Sequence, residues 1–252
     1  MGDFAESTQP EGVRPMPVPM GTGEVVLFGG TFDPPTRAHI EVGVRARDTV
    51  AGPGGGAWLV FVPAARSPFK GASAASEADR VAMLELATQE VERAGVWTDE
   101  IDRTKAFACA KGSGAGGCTA GGPSYWVETV QRARGVLGES VRLWFVIGAD
   151  QAGAFHKWRA AREIVACARP IVVLREPVGS IEELERMMRA SGFWTETELT
   201  AWRGAVVDIP MQAGSATQVR EALKASESAE VLEDLLDPRV LGYIREHGLY
   251  RG

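Results

Sequence analysis

A glycine-rich turn followed by a histidine is the segment of this chain best suited to chemistry. Gly29 and Gly30 let the backbone approach a ligand closely, and the prolines before Thr36 favour a helix start. A helix N-terminus offers unpaired N–H groups and a positive dipole end, which bind anions. Thr36 and His39 are three residues apart and share a face of the first turn. The segment predicts a phosphate site; the alternative is a structural joint in which His39 satisfies a buried polar contact.

The segment from Ser215 to Arg220 is a second candidate for binding phosphates. Ser215 with Gln218 has the spacing of a capping box, which is a complete structural explanation by itself. The same helix start carries the hydroxyls of Ser215 and Thr217, and such helix ends also bind polyphosphates. Arg220 can hold phosphate oxygens in a forked geometry that lysine cannot copy. Both interpretations stay open from the sequence.

Further polar candidates stand at the ends of apolar runs. Asp150, two residues after Gly148, follows one such run, and a carboxylate at the carboxyl end of a strand is well placed to accept hydrogen bonds from ribose hydroxyls. Its alternative role is the N-cap of the next helix. Ser124 precedes two aromatic residues, and an N-cap role explains it equally well.

The hydrophobic pattern predicts the elements that position these residues. Short apolar runs rich in β-branched and aromatic residues predict buried strands at 25–28, 58–62, 141–147, 171–174 and 205–209, with a weaker one at 96–101. Helical patterns lie between them, at 36–50, 77–94, 125–137, 151–167, 181–191 and 215–225. This alternation predicts an α/β protein with a doubly wound parallel sheet. In such sheets ligands bind beyond the carboxyl ends of the strands.

The length of 252 residues, 45% of them hydrophobic, is typical of one domain with decorations. We expect that domain to span residues 24–252. Residues 1–23 are rich in Pro, Gly, Ser and Thr and predict a flexible tail. Residues 105–122 are rich in Gly, Ala and Ser and predict a loop inserted before the next helix.

Charge and cysteine content narrow the class of protein. A net charge of -6 argues against a general nucleic-acid binder, which needs a basic face. The three cysteines form no CxxC pair, which favours a reducing compartment over a disulfide framework. The first 23 residues lack the features of a signal peptide, and no apolar run is long enough for a bilayer. These features predict a cytoplasmic protein.

Several motifs together resemble one enzyme superfamily. GGTFDPPTRAH looks like the GGTFDPxHxGH signature of the HxGH nucleotidyltransferases, with Thr36 at the usual first His and Ala38 at the usual Gly. PSYWVETV is similar to the PSYTxDTL stretch of bacterial nicotinate-nucleotide adenylyltransferases, with Trp126 at the usual Thr. GADQAGAFHKW resembles their GADxxxxFxxW stretch, and GSATQVR resembles I-S-[SA]-T-x-I-R. The segment that ends at Lys70 resembles P-x-x-x-P-H-K, with Phe69 at the usual His.

The resemblance implies a Rossmann-like nucleotidyltransferase fold and assigns roles to matching positions. Catalytic roles fall on His39, Thr36, Lys70 and Arg220. ATP-binding roles fall on Gly29, Gly30, Thr31, Phe32, Gly148, Asp150, Ser215 and Thr217. Mononucleotide-binding roles fall on Ser124, Tyr125, Trp126 and Trp158, the last by stacking on the pyridine ring. Arg80 either supports the site indirectly or, as the simpler interpretation, is a surface helix residue. The segment 236–250, which is similar to the family's last helix, is assigned to packing.

The implied reaction is attack by the 5′-phosphate of nicotinate mononucleotide on the α-phosphorus of ATP, which releases pyrophosphate. No protein nucleophile is needed, and His39 serves best as a protonated group or a hydrogen-bond donor. We expect Mg²⁺ to bind mainly the ATP phosphates and water, without a dedicated set of protein ligands. The sequence leaves a homo-oligomer open.

Two alternatives remain from the sequence. One is a superfamily transferase for nicotinamide mononucleotide or another acceptor, and the other is a nucleotide-binding regulator without turnover.

Overall fold

The computed structural model describes residues 14–52, 55–65, 73–111, 124–210 and 214–251. Their centre is a sheet of six parallel strands in the order β3-β2-β1-β4-β5-β6. The strands are β1 Glu24–Gly30, β2 Trp58–Pro63, β3 Ala94–Val96, β4 Arg142–Gly148, β5 Arg169–Val173 and β6 Val206–Val207. The order reverses between β1 and β4, which confirms the doubly wound sheet. A crevice for ligands is expected at this point.

Helices connect the strands and cover both faces of the sheet. They are α1 Arg37–Ala51, α2 Glu77–Thr88, α3 Asp99–Lys111, α4 Trp126–Leu137, α5 Ala149–Gly153, α6 Ala161–Cys167, α7 Ile181–Ala190, α8 Glu196–Gly204, α9 Ala216–Lys224, α10 Ala229–Leu235 and α11 Pro238–Glu246. Strand residues such as Val25, Leu27 and Phe61 are fully buried because apolar layers lie on both sides of the sheet. Among the described residues, none of the helices is long and apolar enough to cross a membrane.

The helix predicted at 151–167 is broken into three parts. Between α5 and α6 the chain forms a 3-10 helix, Phe155–Lys157, and then an extended Trp158. Ala160 follows with a φ of 54°, in the left-handed region that a residue with a Cβ disfavours, and is the N-cap at which α6 begins. The prediction of one continuous helix was therefore wrong. Trp158 therefore lies in an extended segment between two helices and not on the face of one helix.

The weak strand predicted at 96–101 also differs from the structure. Pairing with β2 ends at Val96, and α3 begins three residues later at Asp99. Helix α3 continues to Lys111 and so includes the first part of the loop predicted at 105–122. Residues 112–123 of that loop lie outside the described residues.

Part of the predicted tail packs against the domain. Met16 is buried in the main core cluster, and Pro17 lies against Gly95 of β3. The indole N–H of Trp97 donates to the carbonyl of Arg14. The packed region thus extends before residue 24, because a few apolar side chains cover the edge of the sheet. Residues 1–13 lie outside the described residues.

Candidate functional site

The turn between β1 and α1, residues 29–36 and called the first loop below, lies at the carboxyl end of a central strand. Phe32 in this loop has a φ of 49°, which a residue with a Cβ disfavours. Its buried ring meets the His39 imidazole edge-on, with 5.3 Å between ring centroids. Gly30 makes room for that ring, because a Cβ there would lie 2.9 Å from it. Strained backbone of this kind is concentrated at functional sites, where packing enforces it.

Thr36 is the N-cap of α1 and fixes the histidine. Its backbone N–H donates to Nδ1 of His39 over 3.0 Å, and its Oγ1 lies 2.7 Å from the same atom. A backbone N–H can only donate, so Nδ1 must carry a lone pair and the ring proton lies on Nε2. The two residues share a face of the first turn, as their spacing predicts. The geometry makes His39 a neutral donor through Nε2.

The carboxylate of Asp33 anchors the first loop from below. It accepts hydrogen bonds from the backbone N–H groups of Ala74 and Ala75, at 2.7 and 3.1 Å. The phenol of Tyr250 also donates to it, over 2.7 Å and across most of the chain length. Burial, and then the bond to Asp33, raise the pKa of Tyr250, so the phenol remains a donor. These three donors join the first loop to the start of α2 and to the segment after α11.

Arg80 supports the same loop from helix α2. Its side chain is buried, and Nη1 donates to the carbonyl of Thr31 over 2.7 Å. Desolvation lowers the pKa of this guanidinium, while the charge of Asp33 opposes the change. Of the two interpretations of Arg80, the surface residue was wrong, and the buried side chain instead supports the first loop indirectly. The sequence alone does not show which carbonyl a helical arginine will contact.

Helix α9 brings the second set of residues predicted to bind phosphate to the first loop. Nη1 of Arg220 donates to the backbone carbonyl of Asp33 over 2.7 Å, and Nη2 lies 3.3 Å from Oγ1 of Thr217. Ser215 and Gln218 form the predicted capping box at the helix start. Ser215 and Thr217 are exposed, as a phosphate ligand requires. The structure therefore unites the first and last predicted motifs.

Ser124 does not cap helix α4, and its hydroxyl faces the protein interior. It donates to Oε2 of Glu100 over 2.6 Å, and Thr129 donates to the other carboxylate oxygen over 3.0 Å. Burial raises the pKa of Glu100, although these hydrogen bonds oppose the rise. The N-cap of α4 is Tyr125, so the alternative role of Ser124 as N-cap was wrong. Ser124 joins α3 to the start of α4.

Trp126 closes the space between the first loop and helix α4. A Cβ on Gly29 would lie 2.6 Å from its ring, so this position must be glycine for the indole to fit. The ring also meets Phe145 of β4 edge-on, at 6.5 Å between centroids. This packing connects the predicted mononucleotide segment with the predicted phosphate segment through the shared contact at Gly29.

Tyr125 and Trp158 belong to neighbouring elements that Arg159 connects. The Arg159 guanidinium lies over the Tyr125 ring, 4.6 Å from its centroid, and 3.7 Å from a carboxylate oxygen of Glu128. Trp158 is half-buried and packs on Phe155 at 4.8 Å between ring centroids. Tyr125, Trp126, Trp158 and Arg159 are called the aromatic patch below. Arg159 was not predicted, because its position depends on the break in the helix.

Asp150 lies in the first turn of α5, at the carboxyl end of β4. Arg175, just after β5, holds its two carboxylate oxygens over 2.6 and 3.0 Å. Burial raises the pKa of Asp150, but the bonds and charge of Arg175 outweigh burial, so the net shift is downward. The guanidinium contacts the open side of Gly148, which leaves no room for a Cβ. Gly148 is the N-cap of α5, so the alternative N-cap role of Asp150 was wrong.

Lys70, a predicted catalytic residue, lies outside the described residues. Within the described ranges, no group of three or more His, Cys, Asp or Glu side chains could hold a metal ion. The donors around the first loop are N–H groups, hydroxyls and guanidinium groups, which suit phosphate oxygens rather than a bare cation.

Comparison with known proteins identifies relatives over most of the chain. Residues 27–222 match the Cytidylyltransferase-like family. A Neisseria meningitidis protein named "Probable nicotinate-nucleotide adenylyltransferase" is 31% identical over 90% of this chain and 98% of its own length. A Pseudomonas putida protein of the same name is 29% identical over 89% of this chain and 94% of its own length.

Solved structures show the same fold at low sequence identity. The Plasmodium falciparum nicotinic acid mononucleotide adenylyltransferase complexed with NaAD has a TM-score of 0.59 and 15% identity. The same enzyme complexed with APC has a TM-score of 0.57, also at 15% identity. Each comparison covers 90% of this chain and 97% of the other.

Proposed function

Because the chain belongs to the Cytidylyltransferase-like family and, within it, to the nicotinate-nucleotide adenylyltransferases, we propose that it transfers AMP from ATP to nicotinate mononucleotide. The products are the deamido dinucleotide and pyrophosphate, and the reaction belongs to NAD biosynthesis. The observation that carries the proposal is the meeting of His39 and Arg220 at the first loop. A cytoplasmic site of action fits the cysteine pattern of the sequence.

The first loop and two helix starts form the ATP side of the proposed site. His39 donates from Nε2 to the α-phosphate, and Arg220 neutralises charge on the neighbouring phosphate oxygens. Ser215 and Thr217 add hydroxyl donors at the start of α9. Lys70 contributes a further positive charge by its match to the family motif. Thr36 acts on the reaction through His39, because it sets the ring tautomer.

The remaining ATP contacts come from backbone and from Asp150. The main chain of Gly29, Gly30, Thr31 and Phe32 borders the nucleotide. The space beside the two glycines is taken by the Trp126 and Phe32 rings, so the glycines contribute by letting these rings pack. Asp150, next to Gly148, accepts hydrogen bonds from ribose hydroxyls at the carboxyl end of β4. Its carboxylate is held by Arg175 in the structure, so ribose binding shares or replaces that ion pair.

The aromatic patch forms the mononucleotide side of the proposed site. Trp158 stacks on the pyridine ring, and Tyr125 and Trp126 border it at the start of α4. Ser124 acts indirectly, because its hydroxyl holds the helix start on Glu100. Arg159 supplies a positive charge beside Trp158, which supports an acidic rather than an amide acceptor. The acceptor phosphate can then attack the α-phosphorus in line.

Magnesium enters as part of the MgATP substrate. The described residues hold no cluster of metal ligands, and Mg²⁺ commonly keeps water ligands and binds substrate phosphates. Chelation with EDTA is therefore expected to abolish turnover, and excess Mg²⁺ to restore it in full without refolding.

Pyrophosphate release tests the proposal. The purified protein is assayed with MgATP and, in separate reactions, with nicotinate mononucleotide, nicotinamide mononucleotide and phosphopantetheine. We expect the highest kcat/KM with the nicotinate compound. A preference for nicotinamide mononucleotide would reassign the acceptor, whereas tight ATP binding without turnover on any acceptor would overturn the enzyme in favour of a regulator.

A further inference from the structure

The hydrogen bond between Tyr250 and Asp33 joins two distant parts of the chain at the first loop. Tyr250 is buried, and its backbone φ of 60° lies in the left-handed region that a side chain disfavours. That conformation turns the phenol inward instead of toward solvent. The hydroxyl reaches the Asp33 carboxylate over 2.7 Å. A residue that only filled the core would need neither the hydroxyl nor the unfavourable backbone.

The acceptor of this bond lies within the loop that holds the proposed phosphate ligands. The carboxylate of Asp33 accepts a hydrogen bond from the phenol, while its backbone carbonyl accepts one from Nη1 of Arg220 over 2.7 Å. The preceding residue, Phe32, carries the ring that packs on His39. Asp33 therefore links Tyr250 to Arg220 directly and to His39 through the neighbouring Phe32.

We propose that Tyr250 is a positioning residue for adenylyl transfer, which acts through Asp33 to fix the first loop and Arg220 against the phosphates of ATP. The proposal rests on the proposed function for the identity of the ligand. It goes beyond the packing role expected for the segment 236–250. Tyr250 does not touch the substrate, and its hydroxyl contributes by holding a loop that must not move when phosphate charge develops.

The chain offers a matched control in Tyr243, on α11. Its hydroxyl donates to Oδ1 of Asp79 over 3.0 Å, so it also makes a phenol–carboxylate hydrogen bond. That bond joins α11 to α2 and does not reach the first loop. Tyr250→Phe and Tyr243→Phe therefore each remove a phenol–carboxylate hydrogen bond. The bond of Tyr250 is buried and its acceptor lies in the first loop, whereas the bond of Tyr243 is partly buried and its acceptor lies on α2.

The test measures KM for MgATP, KM for nicotinate mononucleotide and thermal stability for both variants. We expect Tyr250→Phe to raise KM for ATP about fivefold and to lower kcat about tenfold, since hydrogen bonds to charged groups are the stronger ones. KM for the mononucleotide should stay within about twofold of wild type. Tyr243→Phe should lower stability less, because its hydrogen bond is only partly buried, and should leave both KM values unchanged. A loss of folded enzyme alone would lower kcat without changing KM.

The coupling to Asp33 is tested with the variants Asp33→Ala and Asp33→Ala/Tyr250→Phe, because alanine has no oxygen that could accept from the phenol. If Tyr250 acts through Asp33, the double variant should be no worse than Asp33→Ala alone. Additive effects would overturn the proposal, as would an unchanged KM for ATP in Tyr250→Phe.

Direct binding of a non-hydrolysable ATP analogue separates this proposal from the proposed function. If no acceptor supports turnover, the proposed function fails. Weaker analogue binding by Tyr250→Phe than by Tyr243→Phe would still support the role of Tyr250, and equal binding by the two variants would contradict it.

Discussion

The first loop and the aromatic patch meet at Gly29 but are held in different ways. Buried hydrogen bonds fix the first loop, from Arg80 to Thr31 and from Tyr250 to Asp33. In the aromatic patch, Trp126 and Trp158 pack on the buried rings of Phe145 and Phe155, and the only charge is that of the exposed Arg159, which lies over Tyr125. Burial protects the hydrogen bonds of the first loop from water, whereas solvent and salt screen the charge of Arg159.

This difference follows from what each region has to recognise. Phosphate chemistry depends on donors that keep a fixed geometry while charge develops, so a rigid support increases kcat. Recognition of the acceptor depends on stacking and on the sign of one charge, which a surface cluster can supply. We therefore expect changes in the first loop to act on kcat, and changes in the aromatic patch to act on the choice of acceptor.

The largest expected effect belongs to His39→Ala, which tests the first loop. Alanine removes the Nε2 donor, and with it the ring nitrogen that accepts the Thr36 N–H. We expect kcat to fall about 100- to 1,000-fold, the usual loss when one preorganised donor to a developing charge is removed. Stability should fall by about 1 kcal/mol because the reciprocal cap is lost, so kcat is expressed per folded enzyme. A variant with more than about a third of wild-type kcat would contradict the role of His39.

A smaller effect is expected from Arg159→Gln, which tests the aromatic patch. Loss of an exposed charge worth about 1 kcal/mol should reduce the preference for the acid over the amide acceptor about fivefold, with kcat nearly unchanged. The control is Arg162→Gln, which removes an arginine that lies over Phe193 and pairs with Glu198, away from the patch. Equal loss of preference in both variants would point to overall charge and against a specific role of Arg159.

The smallest effect concerns Glu100, which supports the patch from beneath. Its folded pKa is raised, so as the pH rises above about 4.5 the unfolded state loses its proton first and stability falls until the folded pKa is passed. Glu100→Gln should flatten this fall in the free energy of unfolding. Ser124→Ala removes a hydrogen bond that lowers the pKa and should extend the fall to higher pH. Urea unfolding at several pH values checks both, and the same pH dependence in all three proteins would refute the assignment.

Local patterns predicted the features that depend on neighbouring residues. The five strong apolar runs predicted β1, β2, β4, β5 and β6, and three-residue spacing placed Thr36 beside His39 and Ser215 beside Gln218. The left-handed Ala160 that breaks the helix could not be predicted, because alanine favours helix and only tertiary packing imposes this conformation.

Contacts between distant segments were also beyond the sequence. The phenol of Tyr250 and the carboxylate of Asp33 are separated by 217 residues, and the pattern around each shows no sign of the other. The same holds for Arg175, which lies just after the neighbouring strand β5 and forms an ion pair with Asp150. Glu100 and Ser124 are 24 residues apart in the sequence, and no local pattern indicates that they pair.

The most direct test of adenylyl transfer is product analysis by mass spectrometry. The protein is incubated with MgATP and with nicotinate mononucleotide that carries ¹⁸O in its 5′-phosphate. Attack by that phosphate on the α-phosphorus predicts a deamido dinucleotide that keeps all of the label, with an equal amount of unlabelled pyrophosphate. Absence of the dinucleotide, or ¹⁸O in the pyrophosphate, would contradict the proposed function.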